Sequence, residues 1–84
     1  MGLEIMSRIH EMDNLAFSFV STDGFGGNIR WKLSEINIDY DQINLYSNEN
    51  MFYILIEDID SFYEDEENLT IKMKKGGDIL FSPI

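Results

Sequence analysis

Apolar side chains recur at every second position in short runs along this chain, and turn-favouring residues bound each run. Leu15, Phe17 and Phe19 alternate with Ala16, Ser18 and Val20. Ile29, Trp31 and Leu33 alternate with Arg30 and Lys32, and Ile36, Ile38 and Tyr40 make a third set. A period of two belongs to a strand with one buried face, and the residues involved are largely branched or aromatic. The expected fold is therefore mainly β, a small antiparallel sheet or partly open barrel of about five or six strands, with room for one short helix. An α+β arrangement is the alternative.

Segment by segment, the pattern gives definite expectations. In residues 1 to 13, Leu3, Ile5, Ser7 and Ile9 alternate, while Leu3, Met6, Ile9 and Met12 keep a three-residue spacing; the alternation is read as a strand. Residues 15 to 22 form the next strand, and Asp23-Gly24-Phe25-Gly26-Gly27-Asn28 supplies a hairpin loop tolerant of positive φ. Between Leu33 and Ile36 the alternation changes phase, which requires a β-bulge or a break near Ser34. Ile43, Leu45 and Tyr46 suggest a short or edge strand, and Ser47 to Asn50 a turn. Met51 to Ile56 is the most continuous apolar run and is assigned the central strand. Ser61-Phe62-Tyr63-Glu64 has capping-box spacing, so one or two helical turns are expected over residues 59 to 67. Gly76-Gly77 is read as a two-residue hairpin turn that sets Lys75 opposite Asp78 and Met73 opposite Leu80.

Eighty-four residues make one domain, 1–84, whose single core supplies about 3–5 kcal/mol of net stability. Without Cys there are no disulfides, thiolate nucleophiles or sulfur metal sites. The sequence shows neither a basic region followed by an apolar leader nor a long apolar span, and the setting expected is the cytoplasm of a bacterial or phage-infected cell. Asn68-Leu69-Thr70 matches a glycosylation sequon but has no meaning without secretion.

Most chemistries fail for want of parts. His10 is the sole histidine, so no nucleophile–base–orienter set can be assembled, and the chain is not expected to be an enzyme. A calcium loop begun at Asp58 has Tyr63 where its glycine belongs and Leu69 in place of the closing glutamate, so no metal and no cofactor is expected. Gly24-Phe25-Gly26-Gly27 lacks the third glycine of a dinucleotide loop. Arg30, Lys32, Lys72, Lys74 and Lys75, near Trp31 and Phe81, outline a nucleic-acid platform that the total charge opposes.

That charge is −10, and its distribution is one-sided: between Lys32 and Lys72 stand eleven acidic residues and no Lys or Arg. Such a field repels nucleic acid and anionic membrane and attracts basic surfaces. Aromatics lie among the acids, namely Tyr40, Tyr46, Phe52, Tyr53, Phe62 and Tyr63, and aromatic anchors ringed by steering charge are what tight interfaces use. Asp39 with Asp41, and Asp58 with Asp60, are two residues apart; on a strand each pair lies on one face about 6.8 Å apart, near the spacing of successive phosphates.

In size and charge the chain resembles the heterogeneous class of small acidic phage and mobile-element inhibitors that includes DNA-mimicking anti-restriction and anti-CRISPR proteins. The resemblance extends to no sequence motif. The expectation is an inhibitor-type binding protein that occludes the basic surface of a nucleic-acid-handling enzyme through Glu35, Asp39, Asp41, Asp58, Asp60, Tyr63, Glu64, Asp65, Glu66 and Glu67. Two alternatives stand beside it. One is an immunity or antitoxin-like protein that neutralises a basic toxin. The other is a structural module that assembles as a homodimer or larger homo-oligomer.

Overall fold

The computed structural model describes residues 1–12, 14–20 and 29–84. It is mainly β: among the described residues there are one short helix and eight strands in two antiparallel sheets that do not close into a barrel. The elements are α1 (Gly2–His10), β1 (Leu15–Val20), β2 (Trp31–Lys32), β3 (Glu35–Asp39), β4 (Gln42–Ser47), β5 (Asn50–Leu55), a 3-10 turn (Ile56–Asp58), β6 (Ile59–Glu64), β7 (Leu69–Met73) and β8 (Asp78–Pro83). The larger sheet has the order β2-β1-β8-β7-β6 and the smaller one β3-β4-β5. The glycine-rich hairpin loop expected at 23 to 28 lies outside the described residues.

Both sheets and the helix share one core. Phe17, Ile71, Ile79 and Phe81 come from the larger sheet, Ile36, Ile43, Leu45 and Ile54 from the smaller, and Ile5 and Ile9 from α1. Aromatic rings join the sheets: Phe52 of β5 lies 5.5 Å from Phe17, 5.6 Å from Phe19 and 5.0 Å from Trp31, centroid to centroid.

The phase change at Ser34 is where the chain leaves one sheet for the other. The Leu33 amide donates to the Leu15 carbonyl in the larger sheet, and the next amide, Ser34, donates to the Tyr46 carbonyl in the smaller. The Ser34 hydroxyl donates to the same carbonyl at 2.9 Å, which fixes the corner.

Four local expectations are overturned. Residues 2 to 10 are helical, not a strand. Ile5 and Ile9, one turn apart, are fully buried while Leu3, a member of both spacings, is exposed. A side chain at Gly2 would meet Ile56 Cδ1 at 2.6 Å, so α1 approaches the core closely there and Ile56 would have to shift to admit one. The helix expected over 59 to 67 is strand β6. Only Ile56–Asp58, just upstream, forms a helical turn. The capping-box spacing is not used, because alternate residues of β6 pair with β7 and place Phe62 beside Ile71 against the core.

Centre and edge of the smaller sheet are also exchanged. Met51 to Leu55 is an edge strand and β4, with its polar Gln42 and Asn44, is central. Its amides bond to one another, so a polar strand can occupy the middle without unpaired groups.

The final hairpin has a register three residues from the one expected. Lys72 opposes Asp78, Ile71 opposes Ile79 and Leu69 opposes Phe81, with residues 74 to 77 between the strands. The Met73 amide donates to the Gly77 carbonyl, and Gly76 and Gly77 hold φ of 91° and 122°. An odd shift reverses the faces. The observed register puts Ile79 and Phe81 into the core, where a two-residue turn would have sent Leu80.

Candidate functional site

The acidic residues fall into separate groups. Asp39 ends β3 and Asp41 lies in the two-residue turn to β4. The Ile56 amide donates to the Asp41 carbonyl at 2.8 Å, which brings the 3-10 turn with Glu57 and Asp58 beside that hairpin tip. Four acidic residues therefore have their backbone at one end of the smaller sheet. Asp60 follows at the irregularity between Ile59 and Ser61. Glu64 to Glu67 lie at the far end of β6 and in its loop, about 15–20 Å along the strand from Asp58. Glu35 begins β3, opposite Tyr46 and at the other end of that strand from Asp39.

Neither two-residue acidic pair lies on one strand face. Asp41 belongs to a turn, and Asp58 to the 3-10 turn that precedes β6. The phosphate-like spacing requires extended backbone through both members, and the hairpin tip and helical turn interrupt it. Among the described residues, no group of three or more His, Asp or Glu side chains is placed to hold a metal ion.

Tyr40 is the most exposed large hydrophobic side chain of those described, at 96%. Its φ is 55°, in the left-handed region that an aromatic residue rarely takes. By alternation it belongs with Ile36 and Ile38 on one apolar face; the turn removes it from the strand. The ring stands in solvent, and Asp39 and Asp41 flank it in the chain. The other aromatics divide: Phe52 and Phe62 pack against the core, whereas Tyr53 and Tyr63 are about half exposed. Tyr63 lies opposite Thr70 on the outer face of the larger sheet, away from its neighbour Glu64. Glu64, exposed at the end of β6, meets Arg8 of α1 at 3.1 Å, the one ion pair among the described residues.

Bases and aromatics of the supposed nucleic-acid platform are on different sides. Trp31 and Phe81 face the core, while Lys32 and Lys72 point outward. Arg30 donates to Ser82 Oγ at 2.8 Å and to the Pro83 carbonyl at 2.7 Å, bracing the larger sheet. Lys74 comes to the acidic tip through its backbone, its amide donating to the Asp58 carbonyl.

A feature missed in the sequence is the outer face of the smaller sheet. Asn37, Gln42, Asn44 and Tyr46 form a hydrogen-bonded patch: Gln42 Nε2 donates to Asn44 Oδ1, Asn44 Nδ2 to Asn37 Oδ1, and Asn37 Nδ2 to the Tyr46 hydroxyl. Asn44 is 5% exposed, and no buried side-chain polar atom among the described residues lacks a partner. Glu35 and Asp39 border this patch on β3, and Met51 and Tyr53 border it on β5, each more than half exposed. The signal was present in the alternation itself, as the polar complement of Ile36, Ile38, Ile43 and Leu45.

Comparison with protein families, with curated proteins and with solved structures gives no match to this chain. No helix among the described residues is long and apolar enough to cross a membrane.

Proposed function

We propose that this protein is a small acidic binding domain that docks on the basic surface of a partner protein and occludes it. Nucleic-acid-handling enzymes are the partner class whose surfaces best fit that charge. The observation that carries the reading is the hairpin tip: an exposed Tyr40 in left-handed backbone, flanked by Asp39 and Asp41, with Glu57 and Asp58 brought alongside by the Asp41–Ile56 hydrogen bond. Residues held in sparsely populated backbone conformations concentrate at binding sites. An aromatic ring amid carboxylates can insert among Lys or Arg side chains, adding cation–π contact to charge attraction. The mechanism proposed is therefore occlusion by an anchored acidic tip, without carboxylates set at phosphate spacing along a strand. A cytoplasmic setting in a bacterial or phage-infected cell belongs to the same proposal.

The test is retention of a basic partner from lysate at low and at ~0.5 M salt, with the unaltered protein and with Asp41→Lys/Asp58→Lys. Expected is a nucleic-acid enzyme retained at low salt, lost at high salt and lost to the double variant, whose melting temperature is unchanged. Retention that survives both salt and charge reversal would sink the reading. A self-associating protein that retains nothing favours the assembly module instead.

A further inference from the structure

The smaller sheet ends at β5, and among the described residues no strand pairs with the other side of it. Ser47 and Asn50 flank the two-residue turn at Asn48-Glu49, so they form a hydrogen-bonded pair, and the bonding direction then alternates along the strand. Asn50, Phe52 and Ile54 direct their backbone groups to β4. The bond from the Ile56 amide to the Asp41 carbonyl continues the same alternation. Met51 and Tyr53 accordingly turn their N–H and C=O groups away from the sheet, and no described backbone or side-chain group bonds to them.

Other sheet edges carry protection that β5 lacks. β2 is two residues long, β6 has a register irregularity at Asp60, and α1 packs against β3. The six residues of β5 include neither a charge nor a proline, and Met51 and Tyr53 also expose their side chains. A regular, uncharged edge whose outward backbone groups meet no described partner is a template for one more strand.

Charge decides which strand. Glu49 precedes β5, and Glu57 and Asp58 follow it. Antiparallel self-pairing of β5 brings Glu49 of each copy near Glu57 of the other at both ends, between molecules that each carry −10. Those acids oppose a second copy and favour an extended segment bearing Lys or Arg at its ends.

We propose that the open edge of β5 receives such a basic extended segment of the partner as a fourth strand of the smaller sheet. The added strand bonds to Met51 and Tyr53, packs beside their side chains, and places its basic residues by Glu49 and Glu57. This rests on the binding reading above for the sign of the partner's charge.

The experiment is to pan a displayed library of random peptides, long enough to span β5, against the whole protein, then to measure amide hydrogen exchange with the best-enriched synthetic peptide bound. Expected are peptides that alternate branched or aromatic residues and carry Lys or Arg near both ends, with exchange at Met51 and Tyr53 slowed roughly tenfold or more. Met51→Pro removes an outward N–H that the sheet does not use, so it leaves the melting temperature nearly unchanged and weakens the peptide about tenfold or more. The exchange measurement is made on the unaltered chain, so the decision does not depend on that variant folding.

No enriched peptide, or unchanged exchange at Met51 and Tyr53, overturns the edge proposal. Basic peptides that lose affinity with Asp41→Lys/Asp58→Lys but leave the edge unprotected overturn it while sparing the acidic-tip reading. Edge protection by uncharged or acidic peptides overturns both. A concentration-dependent dimer abolished by Met51→Pro makes a second copy the occupant, against this proposal.

Discussion

The smaller sheet is built from one uninterrupted stretch, residues 35 to 55, by two consecutive hairpins, whereas the larger sheet joins β1 to β8 from opposite ends of the chain. That difference in assembly produces the difference in charge. Every side chain of the smaller sheet comes from the stretch without bases, so its outer face is acidic and amide-bearing. The larger sheet recruits the flanking segments, where Lys32 and Lys72 reside, and its outer face sets Lys72 opposite Asp78. A bias along the sequence thus becomes a bias in space because the smaller sheet is local. Had its strands been drawn from both termini, the same composition would have mixed the signs.

Locality also separates the sheets in folding. Hairpins within 35 to 55 close short loops, while the β1–β8 pairing must close nearly the whole chain before it is rewarded. Yet Phe17 and Phe52 meet in the shared core, so neither sheet can bury its apolar face alone.

The largest effect tests that interdependence. Phe17→Ala removes a fully buried ring that touches Phe19, Phe52 and Phe81, and about 3–5 kcal/mol of stability should be lost. Denaturant unfolding followed by Trp31 fluorescence and far-ultraviolet dichroism should show one coincident transition. Persistent amide protection in residues 42 to 55 after the larger sheet melts would mean that the sheets are independent.

Asn44→Ala strikes the smaller sheet only. It strands the partners in the amide patch, and a loss of about 1–3 kcal/mol is expected from thermal or denaturant unfolding. A neutral outcome would show that water replaces Asn44 there, and that the patch is not what lets a polar strand be central.

Tyr40→Gly should act in opposite directions on stability and binding. Relief of the left-handed backbone raises the melting temperature by a few degrees at most, while affinity for a basic partner falls. A destabilised variant, or one that binds as before, would remove Tyr40 from the site.

The smallest effect is at Arg8. Replacement by Met breaks the contact with Glu64, whose arginine side chain is about half exposed, so under ~1 kcal/mol is expected and little of it should survive added salt. A larger loss would make that pair a real tie between α1 and the larger sheet.

What was legible in the sequence depended on whether neighbours along the chain sufficed to decide it. β1 and the break at Ser34 follow from local alternation, and both are present. α1 was not legible, because residues 3 to 12 satisfy a period of two and a three-residue spacing together; burial of Ile5 and Ile9 against both sheets selects the helix, and those partners are far along the chain. The capping-box spacing at Ser61 lost to pairing with β7 for the same reason. Of the candidate site, the acids were legible as a composition. Their division into a hairpin tip, a strand end and a distant loop was not, since it depends on the Asp41–Ile56 hydrogen bond.

By itself the sequence determined a mainly β chain, a single core's worth of apolar residues and a stretch from 33 to 71 without a base, because these are properties of period and composition. Only the tertiary structure decided which strand is an edge, which face each carboxylate takes and that Tyr40 stands alone in solvent. Each is a matter of register and pairing, where a shift of one residue reverses every side chain and many registers satisfy the same pattern. The choice among them is made by the packing of Phe17, Phe52, Ile71 and Phe81 into one interior.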